Sequence, residues 1–171
     1  MQAYPGASSL GPGLSSVAMR SDLRQEILSI LEDAQDLTLA TLRQDGYPQA
    51  TTVSYASDGL TIYFGCGVSS QKAINMMRDD RVSLTVNLPY ERWADIRGLS
   101  MGGRAEKILD RGELERASQL LIHRFPAGIA EYASDMEGVA FFRISPEIIS
   151  VLDYRKGFGH TELVKAADVQ G

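Results

Sequence analysis

The sequence predicts an α+β fold: a small closed antiparallel barrel of about seven short strands, with helices at its periphery. Three observations carry this expectation. Runs such as Leu37–Leu42 and Arg81–Leu88 alternate apolar and small or polar residues with the two-residue period of a half-buried strand. Asp45-Gly46 and Ser57-Asp58-Gly59 separate such runs by tight turns. Gly98, Gly102 and Gly103 interrupt a longer run, as glycines do at bulges, barrel corners and close backbone approaches.

The elements follow in order. Ser21 or Asp22 caps a first helix reaching about Ala34, whose Leu23, Ile27, Ile30, Leu31 and Ala34 share one face. Leu37–Leu42, Gln49–Tyr55 and Leu60–Phe64 read as three strands joined by the two turns, hence as a meander. Ser70 caps a short helix, Gln71–Arg78, with Ala73, Ile74 and Met77 expected to face inward. Arg81–Leu88 and Ile96–Ile108 are the fourth and fifth strands. Asp110-Arg-Gly-Glu113 forms a capping box for a helix with Leu114, Ala117, Leu120 and Leu121 on its apolar face, ended by Pro126. Val139–Ile144 and Ile148–Tyr154 read as two final strands.

Composition narrows the function classes. With 171 residues, 44% of them hydrophobic, the chain builds one core without staples. A net charge of −5 argues against nucleic-acid binding, which needs a basic face. No apolar run approaches the roughly 20 residues of a membrane span. A single cysteine and no secretory signal point to the reducing cytoplasm. Met1–Met19 is rich in Gly, Ser, Pro and Ala and uncharged, so residues 1–20 are expected to form a flexible leader. The folded domain is then 21–165, with 166–171 as a flexible tail.

The strongest chemical signal is Ile62–Lys72. A strand-like run ends in Gly65 and Gly67, and Ser69, Ser70, Gln71 and Lys72 stand where a helix begins. Glycines let a ligand approach the backbone, hydroxyls and free helix N–H groups donate, and lysine supplies charge: the parts of a phosphate seat. A nucleoside-triphosphate loop is excluded, because Gln71 and Ala73 flank the lysine where glycine and Ser or Thr are required. The same residues also fit a plain polar loop with a solvated lysine.

Other candidates say less. His123 suits the negative C-terminal end of its helix. His160, after Gly157-Phe158-Gly159, is placed to be a ligand or proton carrier. Two histidines and one cysteine do not make a structural zinc site. Cys66 with Asp153 and His160 is conceivable as a triad, but nothing local to Cys66 resembles a nucleophile motif, and a packed thiol fits better. Trp93 and Arg97 fit either a planar ligand, a partner subunit or a rim that covers the core.

Taken in order, these segments resemble the pyridoxamine-phosphate-oxidase-like FMN-binding split barrels. The matching pieces are Leu39-Ala-Thr-Leu, Asp45-Gly-Tyr-Pro-Gln-Ala-Thr-Thr-Val-Ser-Tyr and Leu60-Thr-Ile-Tyr-Phe. Ser69-Ser-Gln-Lys with Asn75, Asp80-Arg-Val-Ser-Leu-Thr-Val and Arg97-Gly-Leu-Ser-Met-Gly-Gly-Arg-Ala complete them. The resemblance implies a homodimer with FMN in the cleft between two barrels. It places Thr51, Thr52, Val53 and Ser54 beside the isoalloxazine ring, Ser69, Ser70, Gln71 and Lys72 on the phosphate, and Arg97 close by. It implies an oxidoreductase with a small-molecule substrate or electron donor; no residue stands out as an essential acid or base. Oxidases acting on pyridoxamine phosphate carry an arginine where this chain has Gln71, and a tryptophan-containing end that is missing here, so that substrate is not expected. The ending Gly157-Phe-Gly-His160 is similar to a heme-utilisation branch, which makes heme with His160 as iron ligand an alternative. A deazaflavin in the same cleft, and a non-catalytic flavin carrier, are the others.

Overall fold

A computed structural model describes residues 14–131 and 138–170. The alternation that identifies strands in the sequence is seen directly in β1 (Asp36–Leu42), where Leu37, Leu39 and Thr41 are buried and Asp36 and Thr38 are exposed. The strands β2 (Pro48–Ser54), β3 (Ala56–Asp58), β4 (Thr61–Gly67), β5 (Arg81–Asn87), β6 (Arg97–Lys107), β7 (Val139–Asp153) and β8 (Thr161–Lys165) join it in one antiparallel sheet. Their order is β2-β1-β5-β6-β7-β4-β3, with β8 also on β7. Helices α1 (Leu14–Asp33), α2 (Gln71–Arg78), α3 (Arg111–Arg124) and α4 (Pro126–Glu131) lie around it. This is an α+β fold of the split-barrel kind, as the sequence predicts.

The curl is built into the chain itself. β2 and β3 stand at opposite ends of the strand order, yet only Tyr55 separates them. One bent strand therefore joins the two ends of the sheet. Tyr55 is fully buried at the bend and its hydroxyl donates to the Leu31 carbonyl at 2.7 Å. Burial pushes its phenol pKa up to about 12. The expected meander is thereby corrected. β2 pairs with β1, but β4 pairs with β3 and β7, because the Ser57-Asp58-Gly59 turn closes the β3–β4 hairpin.

A second correction concerns β7, which the sequence reads as two strands. It is one strand of 15 residues. Gly102 pairs with Ile148 and Gly103 with Pro146, so Glu147 is the extra residue of a bulge. Gly103 is required there: a Cβ would run into the Ser145 carbonyl and lie 2.9 Å from Pro146 Cα. Along one edge β7 pairs with β4 through 139–144 and with β8 through 148–152. The unforeseen β8 follows the turn at Gly157–Gly159, where both glycines have positive φ.

The helices also differ in detail. α1 begins at Leu14, so the leader expected over 1–20 is helical at its end; residues 1–13 lie outside the described residues. Its Ile27, Ile30 and Leu31 are fully buried, as the face reading requires. Asp110 accepts from the Glu113 N–H at 2.8 Å and caps α3. Pro126 follows α3 and opens α4, where its missing N–H is harmless. The expected tail contributes to the core instead: Ala166 and Val169 are buried in it. In α2 the inward residues are Ala73, Asn75 and Met76, while Ile74 and Met77 are 47% and 51% exposed. The helix is turned to bury an amide, which finds partners beneath it.

Candidate functional site

The split in the barrel makes the site. β2 pairs with β1 through all of its residues and has no partner on its other edge among the described residues. β3 covers only Thr61–Tyr63 of β4, so Phe64–Gly67 are unpaired on the side facing that gap. A groove of about 520 Å³ opens there, lined by Thr52, Val53 and Ser54 on one side and by Gly65, Cys66 and Gly67 on the other. Lys72 stands in its wall, and Phe125 and Phe141 give it an apolar side.

The start of α2 supplies the polar end. Ser70 has extended backbone and its hydroxyl accepts from Ala73 N–H at 3.4 Å, while its own N–H donates to Gly67 O at 2.9 Å. Helix geometry leaves the N–H groups of Gln71 and Lys72 without intrahelical acceptors. They carry the positive end of the helix dipole. Lys72 forms no ion pair among the described residues. That matters in a chain where ten of the cationic side chains are already paired with carboxylates. Beside it, burial pushes the Cys66 thiol pKa up, against the opposing pull of Ser70 and Lys72.

The structure brings together Thr52, Val53, Ser54 and Lys72 in one groove, with Ser69, Ser70 and Gln71 adjoining in sequence. Thr51 turns inward, and its hydroxyl is buried without a hydrogen-bond partner among the described residues. The Ser54 hydroxyl donates to Asp36 at 2.5 Å. Gln71 points its amide at Asn75, 2.9 Å away. Arg97 is elsewhere within the chain. It pairs with Glu26 at 3.1 Å and stands opposite Asp153, whereas Gly67 stands opposite Val139. These are the two ends of a 15-residue strand, roughly 45 Å of strand path at ~3.3 Å per residue.

The same distance separates the conceivable triad, since Cys66 pairs with Ala140 and Asp153 ends β7. Asp153 is 1% exposed, and the Arg155 guanidinium holds its carboxyl below the usual carboxylate range. His160 Nε2 lies 3.1 Å from Glu162, which also takes Lys156 at 2.7 Å. His123 is in the last turn of α3 and exposed, as its helix-end role requires. Trp93 is 69% exposed in a short turn beside the Tyr154–Phe158 aromatic pair. Two features escape the sequence reading. Asn75 is among the residues that carry the resemblance, but its burial on the inner face of α2, and its bonds to Thr41 and Gln49, are not signalled by the sequence. The Phe125–Phe141 wall joins parts of the chain too far apart to be linked by pattern.

An antiparallel split barrel with a cleft between its diverging strands, and an uncommitted lysine at a helix start in that cleft, defines the class of protein. The chain belongs to the pyridoxamine 5'-phosphate oxidase family, whose sequence pattern matches residues 23–153. Among solved structures it is similar to a heme binding protein from Mycobacterium smegmatis, at 20% identity and a TM-score of 0.73, over 85% of this chain and 59% of that one. It thus spans less than two thirds of that relative. It is also similar to a conserved hypothetical protein from Mycobacterium tuberculosis, at 27% identity and TM-score 0.69, over 84% and 92% of the two chains. A heme storage protein from Vibrio cholerae matches at 19% identity and TM-score 0.62, over 72% and 89%. No curated protein matches the chain significantly. Among the described residues no helix is long and apolar enough to cross a membrane.

Proposed function

We propose that the protein binds FMN and acts as an oxidoreductase on a small-molecule substrate, as a cytoplasmic homodimer. The observation that carries this reading is the shared groove: an unpaired Lys72 and the free N–H groups of α2 at one end, the open edge of β2 along its side. A phosphate on Lys72 would meet a charge and two N–H donors, the pattern that helix N-termini offer to anions. The unpartnered edge of β2 offers main-chain N–H and C=O groups to a flat heterocycle, and Phe125 and Phe141 shield the groove from water. The orphaned Thr51 hydroxyl lies in the same strand. The bound flavin supplies hydride transfer at N5, while the protein holds and orients it.

The outer face of the sheet supports the dimer. Thr52, Thr38, Thr85, Ser100 and Ser150 form one continuous cross-strand row, with exposed Ile148 and Leu163 at its end. A face this poor in charge suits burial against a second copy. The heme alternative would require His160 to release Glu162.

Titration with FMN and with riboflavin, which lacks the phosphate, tests the reading. Tight FMN binding with weaker riboflavin binding is expected. Equal affinity for the two removes the phosphate seat, and absence of both removes the flavin.

A further inference from the structure

We propose that Asn75 is a positioning residue for the cofactor: it holds the start of α2 at a fixed offset from β2. This rests on the flavin reading above. Asn75 is 1% exposed, and its amide makes three hydrogen bonds, two to the sheet and one within α2. Its Nδ2 donates to Thr41 Oγ1 of β1 at 2.9 Å and to Gln49 Oε1 of β2 at 3.2 Å. Its Oδ1 accepts from Gln71 Nε2 at 2.9 Å. Thr41 is itself buried, at 4% exposed.

Three elements therefore meet at one amide. Gln71 immediately precedes Lys72, and Gln49 lies on the strand that continues to Thr52–Ser54. A phosphate seat and a ring-bearing strand must be set apart by the length of the ligand that bridges them. Asn75 is the polar link through which α2 is referenced to that strand; α2 meets the sheet chiefly on β1 and β6. A buried amide holds its neighbours by direction as well as contact, because each donor and acceptor must be met. The same link explains Gln71. Its side chain is turned back onto Asn75, so Lys72 is left as the only charged side chain at this turn.

The test is Asn75→Leu, similar in size and unable to form these bonds, with Gln49→Ala as a milder variant at a half-buried position. FMN and riboflavin affinities are measured for each, together with the melting temperature. If Asn75 positions the seat, Asn75→Leu weakens FMN about tenfold relative to riboflavin, the size of one displaced bond to a charged group. Gln49→Ala moves the ratio in the same direction by roughly threefold. In a Lys72→Ala background neither substitution should change the ratio further. A lowered melting temperature with an unchanged FMN-to-riboflavin ratio in both variants overturns the proposal and makes Asn75 a packing residue. Failure of the unmodified protein to bind FMN would instead remove the flavin reading itself. If Asn75→Leu does not fold, Gln49→Ala alone decides by the same ratio.

Discussion

Replacing Gly103 by alanine tests the bulge that shapes the barrel. The added Cβ would meet the Ser145 carbonyl oxygen and Pro146 Cα, the latter at 2.9 Å. Both are backbone atoms of the neighbouring strand β7, so no side-chain rotation relieves the contact. The two strands must separate locally, at a point where Glu147 already bulges out. Overpacking of this kind costs about 1–3 kcal/mol. For a chain of this length each kcal/mol lowers the melting temperature by about 2–4 °C. The control is Gly138→Ala, where no described residue lies within 4 Å of the built Cβ. That change should be neutral or slightly stabilising, through the lost freedom of the unfolded chain. Urea denaturation of the two variants, followed by circular dichroism, gives the comparison. If Gly103→Ala is as stable as Gly138→Ala, the close approach of β6 and β7 is not what the glycine serves.

Three further outcomes follow from the geometry. Asp110→Ala should destabilise by ~1 kcal/mol, because the Glu113 N–H loses its cap, and thermal melting reads this directly. Asp153 has its pKa lowered in the folded state, first by the Arg155 hydrogen bonds. The unfolded state then binds more protons in acid, so this stabilisation is present above the unfolded carboxylate value of about 3.9 and is lost as pH falls below it. Asp153→Asn should flatten the acid limb of stability against pH; an unaltered limb would place that dependence on other carboxylates. The raised pKa of Tyr55 means one tyrosine should resist ionisation up to about pH 12, visible as a missing fraction of tyrosinate absorbance until the protein unfolds.

Local features were legible in the sequence and long-range pairing was not. Ser70 and Asp110 cap their helices as the sequence predicts, because a cap is decided within a few residues, whereas Ser21 and Asp22 lie inside α1, which begins at Leu14. The glycines of β6 signal a bulge, a barrel corner or a close backbone approach without choosing among them; the bulged residue, Glu147, lies on the partner strand β7, which no local pattern reaches. The pairing of β4 was not legible either, since the bend at Tyr55 sends the chain to the far end of the sheet, and no local signal marks which edge a strand joins. Ile74 and Met77, which their apolar character assigns to the inner face, are exposed instead. The buried position belongs to Asn75, whose partners Thr41 and Gln49 lie 34 and 26 residues away in the chain. Of the candidate site, Thr52–Ser54 and Lys72 do converge on one groove. Arg97 is instead tied to Glu26 of α1, a partner 71 residues distant that pattern cannot reveal.

The central claim is that Lys72 seats a phosphate. Lys72→Ala removes a charge-assisted bond of about 1.5–3 kcal/mol, which corresponds to about 10- to 150-fold in affinity. Fluorescence titration of the wild type and this variant with FMN and with riboflavin measures it. The account predicts FMN weakened by that factor, with riboflavin unchanged. FMN affinity equal in the two proteins would contradict it.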